Sequence, residues 1–407
     1  MLEASQVDQR RRSLVGYSAP ATDCRGGCTD SDNRSSREAF SLSHTGHWAI
    51  GTSDTYVQRE RAENENREMV ITNTTAKSSL VMPLGNHRVT MGADFIEEAL
   101  SDKTSNRISE RTRIDTAKYS LFAEDEWMLT DTFSLTAGAR LDDDDNFGSH
   151  FSPRLYGVWG FSPRWTLKGG VSTGFRSPSL REITPDWGQV SRGGNIYGNP
   201  DLEPETSVNK ELGLYFNAGR SLMANVTVFH NDFEDKITRI ACPIAICTDG
   251  ANQFGSDPTY RVNVDEAVTR GVEAALSTTL YRVLTLNLSY TYTDSEQKSG
   301  EYKGEPLNQL PEHLASLQAN WQATDIVSPW ATVRYRGEES QPTTGPSSSA
   351  IIAPSNMLVD AGLGFRLSPQ AKLNTGIYNL TDKTILLDEN GYVEDGRRYW
   401  LGVTMNF

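Results

Sequence analysis

No stretch of this chain stays apolar for long. A helix that crosses a bilayer needs about 20 mostly apolar residues, whereas runs such as Ala350-Ile351-Ile352-Ala353 stop almost at once. A helical membrane protein is thereby excluded. Positive charge is also short: 39 Lys+Arg stand against 53 Asp+Glu, a formal net charge of −14. A nucleic-acid binder normally shows a basic footprint, so nucleic acid is not an expected partner. Histidine numbers only six. His44 and His47 lie three apart, so on a strand they point to opposite faces and cannot act as a pair. No serine-centred glycine elbow, zinc-binding His-Glu pair or phosphate loop occurs. No enzyme, catalytic residue, metal site or resident cofactor is therefore expected.

The first residues, Met1 to Gln9, lack the basic and then apolar segments of a signal peptide. The four cysteines fall in two close pairs, Cys24/Cys28 and Cys242/Cys247, inside Gly-, Pro- or Asp-bearing stretches. Neither spacing is the usual zinc knuckle, and no histidine follows at ligand spacing. Small loop disulfides in an oxidising compartment are the favoured reading over zinc, which implies a beginning upstream of Met1.

What the chain does have is alternation. Leu284, Leu286, Leu288, Tyr290 and Tyr292 alternate with polar residues from Thr285 to Thr293, as do Phe133 to Leu141, Ala315 to Trp321 and Met357 to Leu367. Period two over such lengths marks strands with one apolar face. Tyr399, Leu401, Val403, Met405 and Phe407 repeat the pattern and end the chain. The whole chain yields about 18 strand candidates of roughly 10 to 15 residues, longer than the usual 5–6 and long enough to span a bilayer when tilted. Short turns near Leu129–Thr132, Phe161–Arg164, Asn217–Arg220 and Ser368–Gln370 are separated by longer loops near 17–36, 99–113, 177–205, 235–262, 295–311 and 338–355. That asymmetry describes an all-β, antiparallel transmembrane barrel of the outer membrane. Counting back from a last strand that runs inward puts both cysteine pairs outside. Trp127, Trp165, Tyr290, Tyr292, Trp321, Trp330 and Tyr399 are expected to form its aromatic girdles. The rival of another class is a soluble β-rich adhesin or binding protein, which would have shorter strands.

The segments Tyr119 to Trp127, Leu135 to Asp142 and Phe151 to Arg154 resemble the barrel of TonB-dependent outer-membrane receptors. So do Gly174-Phe175-Arg176-Ser177-Pro178, Gly198-Asn199-Pro200-Asp201-Leu202, Asn379-Leu380-Thr381-Asp382-Lys383 and the stretch from Asp395 to Phe407. Thr184-Pro185-Asp186-Trp187 and Asn209 to Tyr215 look most like the ferric catecholate and colicin I receptors of that family. The resemblance implies that residues 1–407 are the C-terminal portion of a barrel, about 18 of an expected 22 strands, without the plug. It implies a ferric siderophore of catecholate chemistry as ligand and TonB as energy-coupling partner. It also implies recognition of the strand ending in Phe407 by the barrel assembly machinery, a lipid bilayer around the wall, and colicins as candidate loop ligands. Haem receptors share part of the framework but place a histidine inside it. Residues 177–198 have none, so haem or another iron complex ranks second.

An anionic, aromatic ferric catecholate would call for guanidinium and aromatic side chains. Arg176, Arg181, Trp187, Arg192 and Tyr197, in or beside the 177–205 loop, are the candidate binding residues. Asp142 to Asp145 could hold calcium, but such a charge run at a loop tip is more often simply solvated.

Overall fold

The computed structural model describes residues 1–407 except 16–28, 105, 107–108, 186, 191–193, 220, 249, 253–254, 301–302, 308–309, 342–350, 386–389, 391–393 and 407. The first half of the wall is β1 (Leu2–Ser13), β2 (Ser31–Trp48), β3 (Gly51–Asn64), β4 (Met69–Leu84), β5 (His87–Asp102), β6 (Arg113–Thr130), β7 (Phe133–Asp144), β8 (Gly148–Ser162) and β9 (Trp165–Arg176). A four-residue helix α1 (Leu180–Ile183) and the short β10 (Ile196–Tyr197) follow in the loop after β9. The wall resumes with β11 (Glu205–Asn217), β12 (Leu222–Ala241), β13 (Thr259–Leu280), β14 (Leu284–Gln297), β15 (His313–Trp321) and β16 (Val327–Arg336). A small hairpin of β17 (Glu339–Gln341) and β18 (Ile351–Ala353) precedes β19 (Asn356–Arg366), β20 (Ala371–Tyr378) and β21 (Arg398–Met405).

Nineteen strands share one sheet. Without the two-residue β10, eighteen wall strands remain, each antiparallel to its neighbour in sequence; only β10 pairs in parallel, on β13. The expected count and class are thus met. Among the described residues, β1 pairs only with β2 and β21 only with β20, so no ladder joins the two ends.

A wall one strand thick has no central core. Leu288 illustrates the outward face. It pairs with Leu276 on β13 and Leu317 on β15, and all three point away from the lumen; Leu288 is 44% exposed. In water such a belt would be an extended apolar patch; in lipid it is solvated. The inward face is polar and cross-linked by charge. Arg140 bonds Asp94 (2.6 Å) and Asp142 (2.9 Å), Arg154 bonds Glu124 (3.2 Å), and Arg334 bonds Asp360 (3.1 Å).

Several expectations need correction. Asp142 and Asp144 are buried, not at a solvated tip, because β7 continues through them. Their oxygens are spent: Asp142 on Arg140 and Ser120, Asp143 on Ser149, Asp144 on Ser177, and Asp145 on the Ala117 amide. Nothing gathers them for calcium; among the described residues no cluster suits a metal. Trp330 lies on the inner face, where a Cβ on Gly362 would come within 2.6 Å of its ring, so it does not belong to a lipid-facing girdle. Trp127, Trp165 and Trp321 do face outward at the short-turn end.

The wall strands also range from 8 to 22 residues. β12 and β13 run deep into the segment expected to be the 235–262 loop. Beyond the bilayer a hairpin needs no apolar face, so the alternation that marks a strand fades while its hydrogen bonds continue. The turn that is left carries the Cys242–Cys247 disulfide, with Cα atoms 5.9 Å apart. Cys24 and Cys28 lie outside the described residues. Peptide mapping without reductant should recover Cys242 and Cys247 in one linked peptide from protein passed through the periplasm; free thiols there would contradict the pairing.

Candidate ligand-binding mouth

The loop between β9 and β11 is folded, and it bridges two parts of the wall. Ser177 Oγ donates to Asp144 at 2.8 Å, fixing its start. Glu182 closes the first turn of α1, with the Ser179 amide donating to its carboxylate at 2.8 Å. Leu180 and Trp187 then pack on Leu100 of β5 and Ile114 of β6, with Met69 and Ile71 of β4 alongside. This is the one apolar cluster of buried residues described in the protein, and it exists because Leu100 and Ile114 interrupt the polar inner face.

Arg181 completes that seat. It forms an ion pair with Asp102, whose side chain is fully buried, and its guanidinium lies 5.7 Å from the Trp187 ring centroid. Trp187 is 1% exposed. On the return limb the Thr259 amide donates to the Asn195 carbonyl (2.8 Å), Asn199 Nδ2 donates to the Arg261 carbonyl (3.1 Å), and Glu203 and Asn263 exchange two bonds of 2.8 Å. Gly198 passes against α1 so closely that a Cβ would sit 2.4 Å from the Thr184 carbonyl oxygen. The loop is therefore a strap tied to β4–β6 at one side and β13 at the other.

Guanidiniums gather beneath it. Arg261 reaches Glu182 at 2.8 Å, and Arg176 reaches the same carboxylate at 3.6 Å while also pairing with Glu205. Arg239 is exposed and lies directly opposite Arg261 in the β12–β13 register. At 20 and 22 residues these strands outrun the 9–11 that cross a bilayer, so this end of the hairpin stands clear of it. There, burial lowers the Arg261 pKa, Glu182 raises it, and Arg239, Arg176 and Arg181 lower it further.

Of the residues expected to bind ligand, Arg176 is open to the mouth. Arg181 and Trp187 are occupied in seating the strap, Tyr197 sits in β10 against β13, and Arg192 lies outside the described residues. Sequence reasoning missed Arg239 and Arg261, because the strand carrying each was read as loop.

Over residues 9–380 the chain matches the family model described as TonB dependent receptor-like, beta-barrel. It belongs to that family of outer-membrane receptors, which are not enzymes. It is 54% identical over 407 residues to the iron-regulated outer membrane virulence protein of Vibrio cholerae, covering 100% of this chain and 62% of that protein. It is 29% identical over 441 residues to the ferric enterobactin receptor of Pseudomonas aeruginosa, covering 92% of this chain and 59% of the relative. A solved structure of a mutant of the Pseudomonas aeruginosa receptor in complex with enterobactin superposes with a TM-score of 0.79 at 26% identity, covering 92% and 63% of the two chains. The chain thus spans about three fifths of the length of the curated relatives it matches.

Proposed function

We propose that this chain forms the barrel of a receptor that captures a ferric siderophore of the catecholate type and passes it inward under the pull of TonB. The observation that carries this reading is the cluster of Arg176, Arg239 and Arg261 at the mouth of a chain whose net charge is −14. Like charges directly opposite on a sheet are destabilising, and an anionic ligand between Arg239 and Arg261 would remove that cost. The name of the Pseudomonas aeruginosa relative, a ferric enterobactin receptor also solved in complex with enterobactin, supports the same ligand chemistry. Recognition of the last strand by the barrel assembly machinery and use of the loops by a colicin belong to the same proposal.

The test is uptake of labelled iron by an iron-starved host that has this receptor as its only one, supplied in turn with a catecholate, a hydroxamate and haem. Catecholate should support uptake; growth on haem alone would overturn the reading. A charge-assisted contact contributes about 1.5–3 kcal/mol, so Arg176→Ala and Arg239→Ala should each weaken ferric catecholate binding about tenfold or more. Unchanged affinity in both would remove these residues from the site.

A further inference from the structure

Two carboxylates meet the guanidiniums of the mouth, and they are held differently. Glu205 belongs to the wall: one of its oxygens pairs with Arg176, and the other accepts the Ile237 amide of β12 at 2.8 Å. Glu182 belongs to the strap. Its Oε1 accepts from Arg261 Nη1 at 2.8 Å, while its Oε2 accepts the Ser179 amide at 2.8 Å and lies 3.6 Å from Arg176 Nη2. Only 7% of the residue is exposed.

Arg261 depends on that one contact. Among the described residues, Glu182 is the one carboxylate within ion-pair distance of it, and the buried Arg261 Nε has no partner. Arg239 faces Arg261 across the β12–β13 register. The carboxylate that quiets Arg261 is therefore carried by a loop, on a helix of four residues, and not by the barrel itself.

We infer that Glu182 is a built-in counter-ion which a ligand must displace from Arg261, and that it thereby restricts the mouth to complexes carrying several negative charges. The inference rests on the catecholate reading above and adds to it a residue that sorts ligands by charge. Taking the guanidinium away leaves a nearly buried carboxylate without its charge partner, which is costly. A complex with one negative charge gives Arg261 no more than Glu182 already does, so nothing offsets that cost, and a neutral complex gives less. A ferric tris-catecholate holds three negative charges in one rigid body. It can make charge-assisted bonds to Arg176, Arg239 and Arg261 together, and it also ends the repulsion between the last two. Were Glu182 only a cap for α1, through its bond to the Ser179 amide, removing its charge would weaken ligand binding. As a counter-ion it has the opposite effect, and the sign separates the two roles.

The test compares Glu182→Gln with the unmodified complete receptor, by calorimetric titration in detergent. Glutamine keeps an oxygen for the Ser179 amide and removes the charge. The probes are two ferric complexes built on one tripodal scaffold, a trianionic tris-catecholate and a neutral tris-hydroxamate. Affinity for the tris-catecholate should rise about tenfold in the variant, with no gain for the tris-hydroxamate. Unchanged or lower tris-catecholate affinity in the folded variant would overturn the inference, as would an equal gain for both complexes. Failure of the unmodified receptor to bind the tris-catecholate would instead overturn the catecholate reading, and the inference with it. Heat-modifiable migration reports folding. Should the variant not fold, a crystal structure of the unmodified receptor with the tris-catecholate decides: Glu182 should lie beyond hydrogen-bonding reach of Arg261, and a retained contact would overturn the inference.

Discussion

Arg181→Met should release the β9–β11 strap from its seat on β4–β6. The substitution keeps the apolar stem against Trp187 but leaves the fully buried Asp102 carboxylate without its guanidinium. Removing one partner of a buried pair costs about 3–5 kcal/mol. Exchange protection of the Glu182, Trp187, Gln189, Ile196 and Asn199 amides, all hydrogen-bonded within the strap, should therefore fall by about two to three orders of magnitude, at 1.4 kcal/mol per factor of ten. Protection in β14 and β15, which do not touch the strap, should not change. Arg181→Met/Asp102→Leu should recover most of the loss, because both charges leave together. Unaltered protection in the single variant would mean that the ion pair does not hold the loop.

The second large effect concerns the wall. Leu288→Arg puts a charge on the outward face midway along β14, between Leu276 and Leu317. At the bilayer midplane this costs about 2–4 kcal/mol. The neighbouring Ser289→Arg points into the polar lumen and should be tolerated. Folding into lipid vesicles, followed by heat-modifiable migration, separates the two; equal losses would contradict the assigned faces.

How much of this was legible in the sequence depends on what each residue faces. Where one side of a strand meets lipid, as from Leu284 to Tyr292, the apolar period survives and the strand can be read directly. Where a strand leaves the bilayer, as in β12 beyond Phe233, both faces meet water, the period disappears, and only the pairing of Arg239 with Arg261 reveals it. The strap was legible as a loop of the right length, since β9 ends at Arg176 and β11 begins at Glu205. Its roles were not. Trp187 and Arg181 look like ligand-binding types, yet their partners, Leu100, Ile114 and Asp102, lie dozens of residues away on β5 and β6. Composition names the chemistry a side chain can do, whereas tertiary contact decides whether it is already spent. Asn379 makes the same point. Its amide donates to Asp360, and its side chain donates to the Lys383 and Asp395 carbonyls. The Asn379 to Lys383 motif thus serves to organise the loop between β20 and β21.

The most direct test of the mouth as a binding site is the position of iron itself. Anomalous scattering at the iron edge, from crystals of the receptor grown with a ferric catecholate, should show one peak beneath the strap, within contact distance of the catecholate oxygens facing Arg176, Arg239 and Arg261. A peak held elsewhere on the barrel, with Arg176 and Arg261 still paired only with Glu182 and Glu205 and Arg239 away from the ligand, would contradict the account.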